Sequence, residues 1–176
     1  MPAPSKKSKT RDIRLTAVIK AKPEAVYKAL TSTRELCRWW LSGAETDARN
    51  AGRLRLVWPA IKSVSGGRPF PVNAAFGEIE GHFVDLEPGR KVAWLWKVAR
   101  RKALFPPLSS FFILPKGRAS EVTLLHAGFS ALPSAQRTFE GCASGWEDCL
   151  AKLRLYLESG KTCKSQVLTL KRNRPA

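Results

Sequence analysis

A chain of 176 residues with 44% apolar side chains has the length and composition of one globular domain that buries its own core. No apolar run approaches the roughly 18 residues a membrane span needs, and the Pro/Ser/Lys-rich start lacks the apolar centre of a secretory signal. Those absences point to a soluble, cytoplasmic protein, while a net charge of +17 leaves contact with polyanions open.

In chain order, Asp12 to Lys20 alternates Ile13, Leu15 and Ala17 with polar neighbours, the pattern of a half-buried strand. Pro23 suits the first position of a helix, where Glu24 favours the dipole and Val26, Ala29 and Leu30 form the buried stripe. Ser32-x-x-Glu35 reads as a capping box opening a second short helix through Trp40, which Gly43 ends. Strands follow. Gly52–Trp58 sets Leu54, Leu56 and Trp58 on one face, with Arg53 and Arg55 on the other. Residues 59–75 read as a long loop. Phe76–Leu86 is the next strand, Glu87–Arg90 a turn, and Lys91–Ala99 a strand with Val92, Trp94, Trp96 and Val98 on one face. Past an irregular Pro106-Pro107 connection, Phe111–Leu114 and Glu121–Phe129 form a hairpin about Pro115–Arg118. Pro133-Ser134 begins the longest helix, whose apolar side runs Cys142, Trp146, Cys149/Leu150, Leu153 and Tyr156/Leu157, with Gly160 as its stop. The sum is an α+β domain over 12–160, between disordered basic tails at 1–11 and 161–176.

The cysteines, at 37, 142, 149 and 163, have no Cys-x-x-Cys spacing and no histidine beside them, so no metal site is expected. Cys142 and Cys149 are two helical turns apart, about 10 Å along the axis, too far to bridge. Free thiols suit a reducing compartment. Residues 1–12 and 161–176 carry +8 of the +17, so the charge reads first as a solvated surface, with nucleic acid or an anionic surface bound only non-specifically.

Five segments in this order resemble the SRPBCC superfamily, also called START-like or birch-pollen-allergen-like. Within it, they resemble most the activator of heat-shock protein 90 ATPase C-terminal-like domains. The segments are Pro23–Thr31, Arg38-Trp39-Trp40, Gly81-x-Phe83 with Leu86-x-Pro88-Gly89-Arg90, Glu121–Phe129, and Gly145-Trp146 with Leu150, Leu153 and Leu157. The resemblance covers residues 12–160. It implies a helix-grip fold, in which an antiparallel sheet of about six strands wraps the C-terminal helix around a cavity. The loop at 59–75, the 106–110 connection and the excess positive charge fall outside it.

Trp58, Trp94, Trp96, Phe112 and Trp146 are the candidate wall of that cavity, since an aromatic face with a few polar groups is what a small-molecule pocket needs. The plainer alternative is that they fill a core. Trp39 and Trp40 read as pinning the short helices. His126 shares a strand face with Val122 and Leu124, and is the one candidate for acid–base work or for a polar ligand contact. Glu78, Glu80 and His82 share another face, read as solvent-facing. Nucleotide, hydrolase and metalloprotease motifs are absent, and no cofactor is expected. The leading expectation is binding of a hydrophobic or aromatic small molecule without catalysis. The alternatives are a cyclase/aromatase- or hydratase-like enzyme, a co-factor of a chaperone ATPase, and non-specific polyanion binding through the tails.

Overall fold

The computed structural model describes residues 10–62, 77–97 and 105–170. The expectations for residues 1–9, 63–76, 98–104 and 171–176, which take in most of the 59–75 loop, Phe76, Val98 and Ala99, lie outside the described residues.

Alternation of apolar and polar residues produces β1 (Thr10–Ile19), which buries Ile13, Ala17 and Ile19. Helix α1 (Pro23–Thr31) starts on its proline and buries Val26, Ala29 and Leu30. Helix α2 (Thr33–Trp39) follows after Ser32. The expected capping box does not form: Ser32 makes no side-chain cap bond. Glu35 turns instead to Arg38 and to the Tyr156 hydroxyl, which donates to it.

Gly43 does not merely end a helix. It opens β2 (Gly43–Thr46), a strand too short to show a periodicity of its own. Threonines hold it to the junction of the helices. The Thr46 amide donates to Thr33 Oγ1 at 3.0 Å, and the Thr46 hydroxyl donates to Thr31 O at 2.9 Å. The sheet continues through β3 (Arg53–Val57), β4 (Glu78–Glu87), β5 (Lys91–Trp96), β6 (Leu108–Lys116) and β7 (Ala119–Ser130). Among the described residues it has seven strands, all antiparallel neighbours, ordered β1-β7-β6-β5-β4-β3-β2. The curved sheet and the long helix below make the expected α+β helix-grip architecture. Gly117, at φ 61°, supplies the positive dihedral that the tight β6–β7 hairpin needs.

A 3-10 turn, Pro133–Ala135, leads into α3 (Gln136–Ser159), which Gly160 ends at φ 70° with its amide bonded to Tyr156 O. The apolar stripe packs inward as the spacing predicts, with Cys142, Trp146, Cys149, Leu150 and Leu153 all buried. Asp148 and Lys152 are buried as well, which the stripe does not predict. The cause is the segment after the helix. Residues 161–170, basic by composition, lie across α3 rather than away from it. The Leu168 amide donates to Asp148 Oδ1, the Leu170 amide to Glu147 Oε1, and Lys164 Nζ to the carbonyls of Cys37 and Leu41 near the end of α2. Beneath them Lys152 Nζ pairs with Asp148 Oδ2 at 2.7 Å.

Among the described residues no helix is long and apolar enough to cross a membrane. Removing the cation of the buried pair strands a carboxylate in a low-dielectric interior. Lys152→Met therefore costs about 3–5 kcal/mol in a urea melt. A loss under about 1 kcal/mol would show that the pair is not needed to hold Asp148.

Candidate functional site

Three elements deliver aromatic rings to the space between sheet and helix. On β5, Val92, Trp94 and Trp96 face inward by alternation. Trp58 follows β3 on the face of Leu54 and Leu56. Trp39 and Trp40 arrive from the end of α2, and Trp146 from the middle of α3. The chain has six tryptophans, and all six are in this cluster. Trp40 stacks on Trp39 with ring centroids 5.3 Å apart and on Trp94 at 6.1 Å, and meets Trp58 edge-on at 5.5 Å. Trp94 in turn meets Trp96 at 5.2 Å and Phe111 at 5.1 Å, both edge-on.

Two expectations about aromatic positions are revised by strand pairing. Phe111 pairs with Val92 and faces the cluster, while Phe112 pairs with Lys91 and turns to the opposite face, its ring 5.4 Å from Lys91 Nζ. Trp40 does more than pin a helix, since it touches Trp58, Trp94 and Trp146.

An indole N–H can only donate, so six donors need six acceptors. Trp39 donates to Ala29 O and Trp96 to Ser109 Oγ, each at 3.0 Å. Trp146 donates to His126 Nδ1 at 2.9 Å. The buried donors of Trp40, Trp58 and Trp94 have no acceptor among the described residues. Leaving such a group unmet costs about 1–3 kcal/mol.

His126 is fixed by the same logic. Because Trp146 donates to Nδ1, the ring proton sits on Nε2, which donates to Pro106 O at 2.6 Å. Both nitrogens are used and the ring is neutral. Burial drives its pKa down to about 4, against a smaller upward pull from the Pro106 carbonyl. Phe105 and Phe129 meet the imidazole edge-on at 5.9 and 4.6 Å. Beside it a recess of about 330 Å³ opens between Phe105, Pro106, Pro107, Phe129 and Ala135.

Glu78, Glu80 and His82 lie on the outer face, as their alternation predicts. Glu78 takes both fork nitrogens of Arg55 and Glu80 takes Lys97, which lowers the pKa of each carboxyl. Glu80 and His82 border a larger groove of about 590 Å³ whose charges of both signs neutralise one another. The four cysteines are unpaired, and burial holds the Cys142 thiol protonated, its pKa pushed up to about 12. Among the described residues no three His, Cys, Asp or Glu side chains come together as metal ligands would.

Residues 20–158 match the family described as Activator of Hsp90 ATPase homolog 1-like protein. No curated protein sequence matches. Among solved structures, the Aha1 dimer from Colwellia psychrerythraea is similar at 22% identity and a TM-score of 0.63, over 86% of this chain and 98% of that one. Protein MLL2253 from Mesorhizobium loti is 19% identical at a TM-score of 0.64, over 86% and 99%. CalU16 from Micromonospora echinospora is 20% identical at a TM-score of 0.59, over 86% and 78%. At these identities the likeness is one of fold.

The buried neutral imidazole makes stability depend on acid. The unfolded chain takes up this proton near pH 6.5 and the folded chain only near 4. Stability is therefore full above about pH 6.5, falls between 6.5 and 4, and is lower by about 3 kcal/mol beyond. His126→Gln keeps a donor for Pro106 and an acceptor for Trp146 without titrating. Denaturant midpoints from pH 7 to 4 should fall more steeply for the native chain than for this variant, and parallel curves would contradict a neutral buried ring.

Proposed function

The chain belongs to the Activator of Hsp90 ATPase homolog 1-like family of the SRPBCC superfamily, and from that premise we propose that it binds a flat, mostly apolar small molecule carrying an oxygen acceptor against its tryptophan cluster. The observation that carries this reading is the set of three buried indole donors, on Trp40, Trp58 and Trp94, with no acceptor among the described residues. A core built only for burial is better served by phenylalanine, which offers the same kind of face with no donor to satisfy. Rings that stack and donate are suited to a planar ligand with a carbonyl oxygen.

Trp58, Trp94, Trp96 and Trp146 form the wall of the proposed site, with Phe111 where Phe112 was expected. His126 orients Trp146 rather than meeting substrate, because both its nitrogens are engaged. That favours binding over the cyclase- or hydratase-like alternative, which needs a free acid or base at the cavity. The family description itself motivates a second reading, stimulation of a chaperone ATPase. Addition of the saturating full chain to purified Hsp90 tests it, and an unchanged ATPase rate excludes it.

The binding reading is tested with fluorenone, a planar aromatic ketone, against fluorene, which lacks the oxygen. By quenching of tryptophan fluorescence, fluorenone should bind about tenfold tighter, as one hydrogen bond of about 1.4 kcal/mol implies. Trp94→Phe should narrow that gap while leaving fluorene binding in place. Equal affinities for the two probes, or no binding of either, would overturn the proposal.

A further inference from the structure

Among the described residues, Arg11 is a guanidinium oriented without being neutralised. Arg11 lies at the start of β1, opposite Phe129 of β7, where the pairing is irregular between Arg11 and Ile13 and Gly128 adopts φ 89°. Its Cζ stands 3.9 Å from the centre of the Phe139 ring, and Nη1 donates to Gln136 Oε1 at 2.6 Å. Gln136 is itself held by Glu140, to which its amide donates. The guanidinium is thus fixed by one nitrogen and one face. The other two nitrogens, Nε and Nη2, are closed to solvent and have no acceptor among the described residues. Those two share one edge of the group, the fork whose parallel N–H bonds match the two oxygens of a carboxylate. No carboxylate pairs with Arg11 among the described residues.

The surroundings say what a bound carboxylate would be attached to. Phe139 meets Phe129 at 5.3 Å, Phe129 meets His126 at 4.6 Å, and His126 meets Trp146 at 5.9 Å. This unbroken aromatic path joins Arg11 to the tryptophan cluster. The 330 Å³ recess runs beside it, walled by Phe129 and by Ala135, the residue before Gln136. A single guanidinium balances a single negative charge, and aromatic walls exclude a strongly hydrated dianion such as phosphate.

We propose that Arg11 is the anchor for the carboxylate of a hydrophobic organic acid, with Nε and Nη2 binding its two oxygens and the recess and aromatic path receiving its body. This rests on the small-molecule reading above and narrows it to acids. Gln136 is a positioning residue, holding the fork in place through Nη1. Because the fork is closed to solvent, occupancy needs a local shift of the Gln136–Phe139 turn.

The test uses the full chain with 2-naphthoate and with 2-naphthalenemethanol, its neutral counterpart, titrated by tryptophan fluorescence. The acid should bind at least tenfold tighter than the alcohol. Arg11→Gln should abolish that preference and leave the alcohol's affinity unchanged, and Arg11→Lys, which keeps the charge but not the fork, should not restore it. Should Arg11→Gln fail to fold, Gln136→Ala carries the test, with the preference falling at least threefold. Equal affinities in the native chain, or a preference that survives Arg11→Gln, overturn the inference. If fluorenone still binds above fluorene in that case, the aromatic site stands and only its restriction to acids falls.

Discussion

The seating of Trp146 is the interaction on which the rest of this structure depends. Its ring lies 6.2 and 6.4 Å from Trp94 and Trp96 on the sheet, 6.5 Å from Trp40 at the end of α2, and 5.8 Å from Phe111. Its donor engages His126, whose Nε2–H in turn donates to the carbonyl of Pro106. One residue of α3 thereby ties together the helix, side chains of three strands (β5, β6 and β7), and the connection that precedes β6. Burying so large a ring stabilises the helix–sheet contact by a few kcal/mol, a sizeable share of the 5–15 kcal/mol that keeps a domain folded. Against that gain stand three indole donors with no acceptor among the described residues, at about 1–3 kcal/mol each. The core is therefore large in area and poor in satisfaction, an imbalance that a ligand acceptor would correct.

What could be read from the chain follows from where one periodicity decides the outcome. The buried faces of β1, α1 and α3 were legible because their apolar residues recur at the spacing of one element, and the packing agrees: Ile13 and Ala17, Val26 and Leu30, Cys142 and Leu153 are all inward. The inward placement of Trp94 and Trp96 was legible for the same reason. Phe111-Phe112-Ile113 gives no alternation, so the parity of β6 was set only by its partner strand, where Val92 opposes Phe111. β2 was missed because a four-residue strand has no period, and because the bonds that fix it run from Thr46 to Thr31 and Thr33.

The charged residues were the least legible. Asp148 and Lys152 stand on the polar side of a helix whose other side is plainly apolar, and a helical wheel sends them to solvent. They are buried because residues 161–170 return over the helix, and the composition of that segment spoke for the opposite behaviour. Arg11 was assigned to a basic tail. Only the bulge opposite Gly128 and the turn at Gln136–Phe139 give it a place, and neither is encoded next to it.

Arg11 and the three indoles pose the same physical question. A polar group withdrawn from water must recover elsewhere what hydration gave it, and a charged one must recover more. Lys152 recovers it from Asp148 and from the Lys164 carbonyl, and His126 from Trp146 and Pro106. In those two cases the chain supplies the partner, and the group is structural. Arg11 Nε and Nη2, and the donors of Trp40, Trp58 and Trp94, recover nothing from the described residues. All of them are donors, so whatever completes them must be an acceptor. They stand at the two ends of one aromatic path, the charged donor at one end and the neutral donors at the other. An elongated acid with an acceptor at its far end would meet both demands at once, whereas a pure hydrocarbon would meet neither.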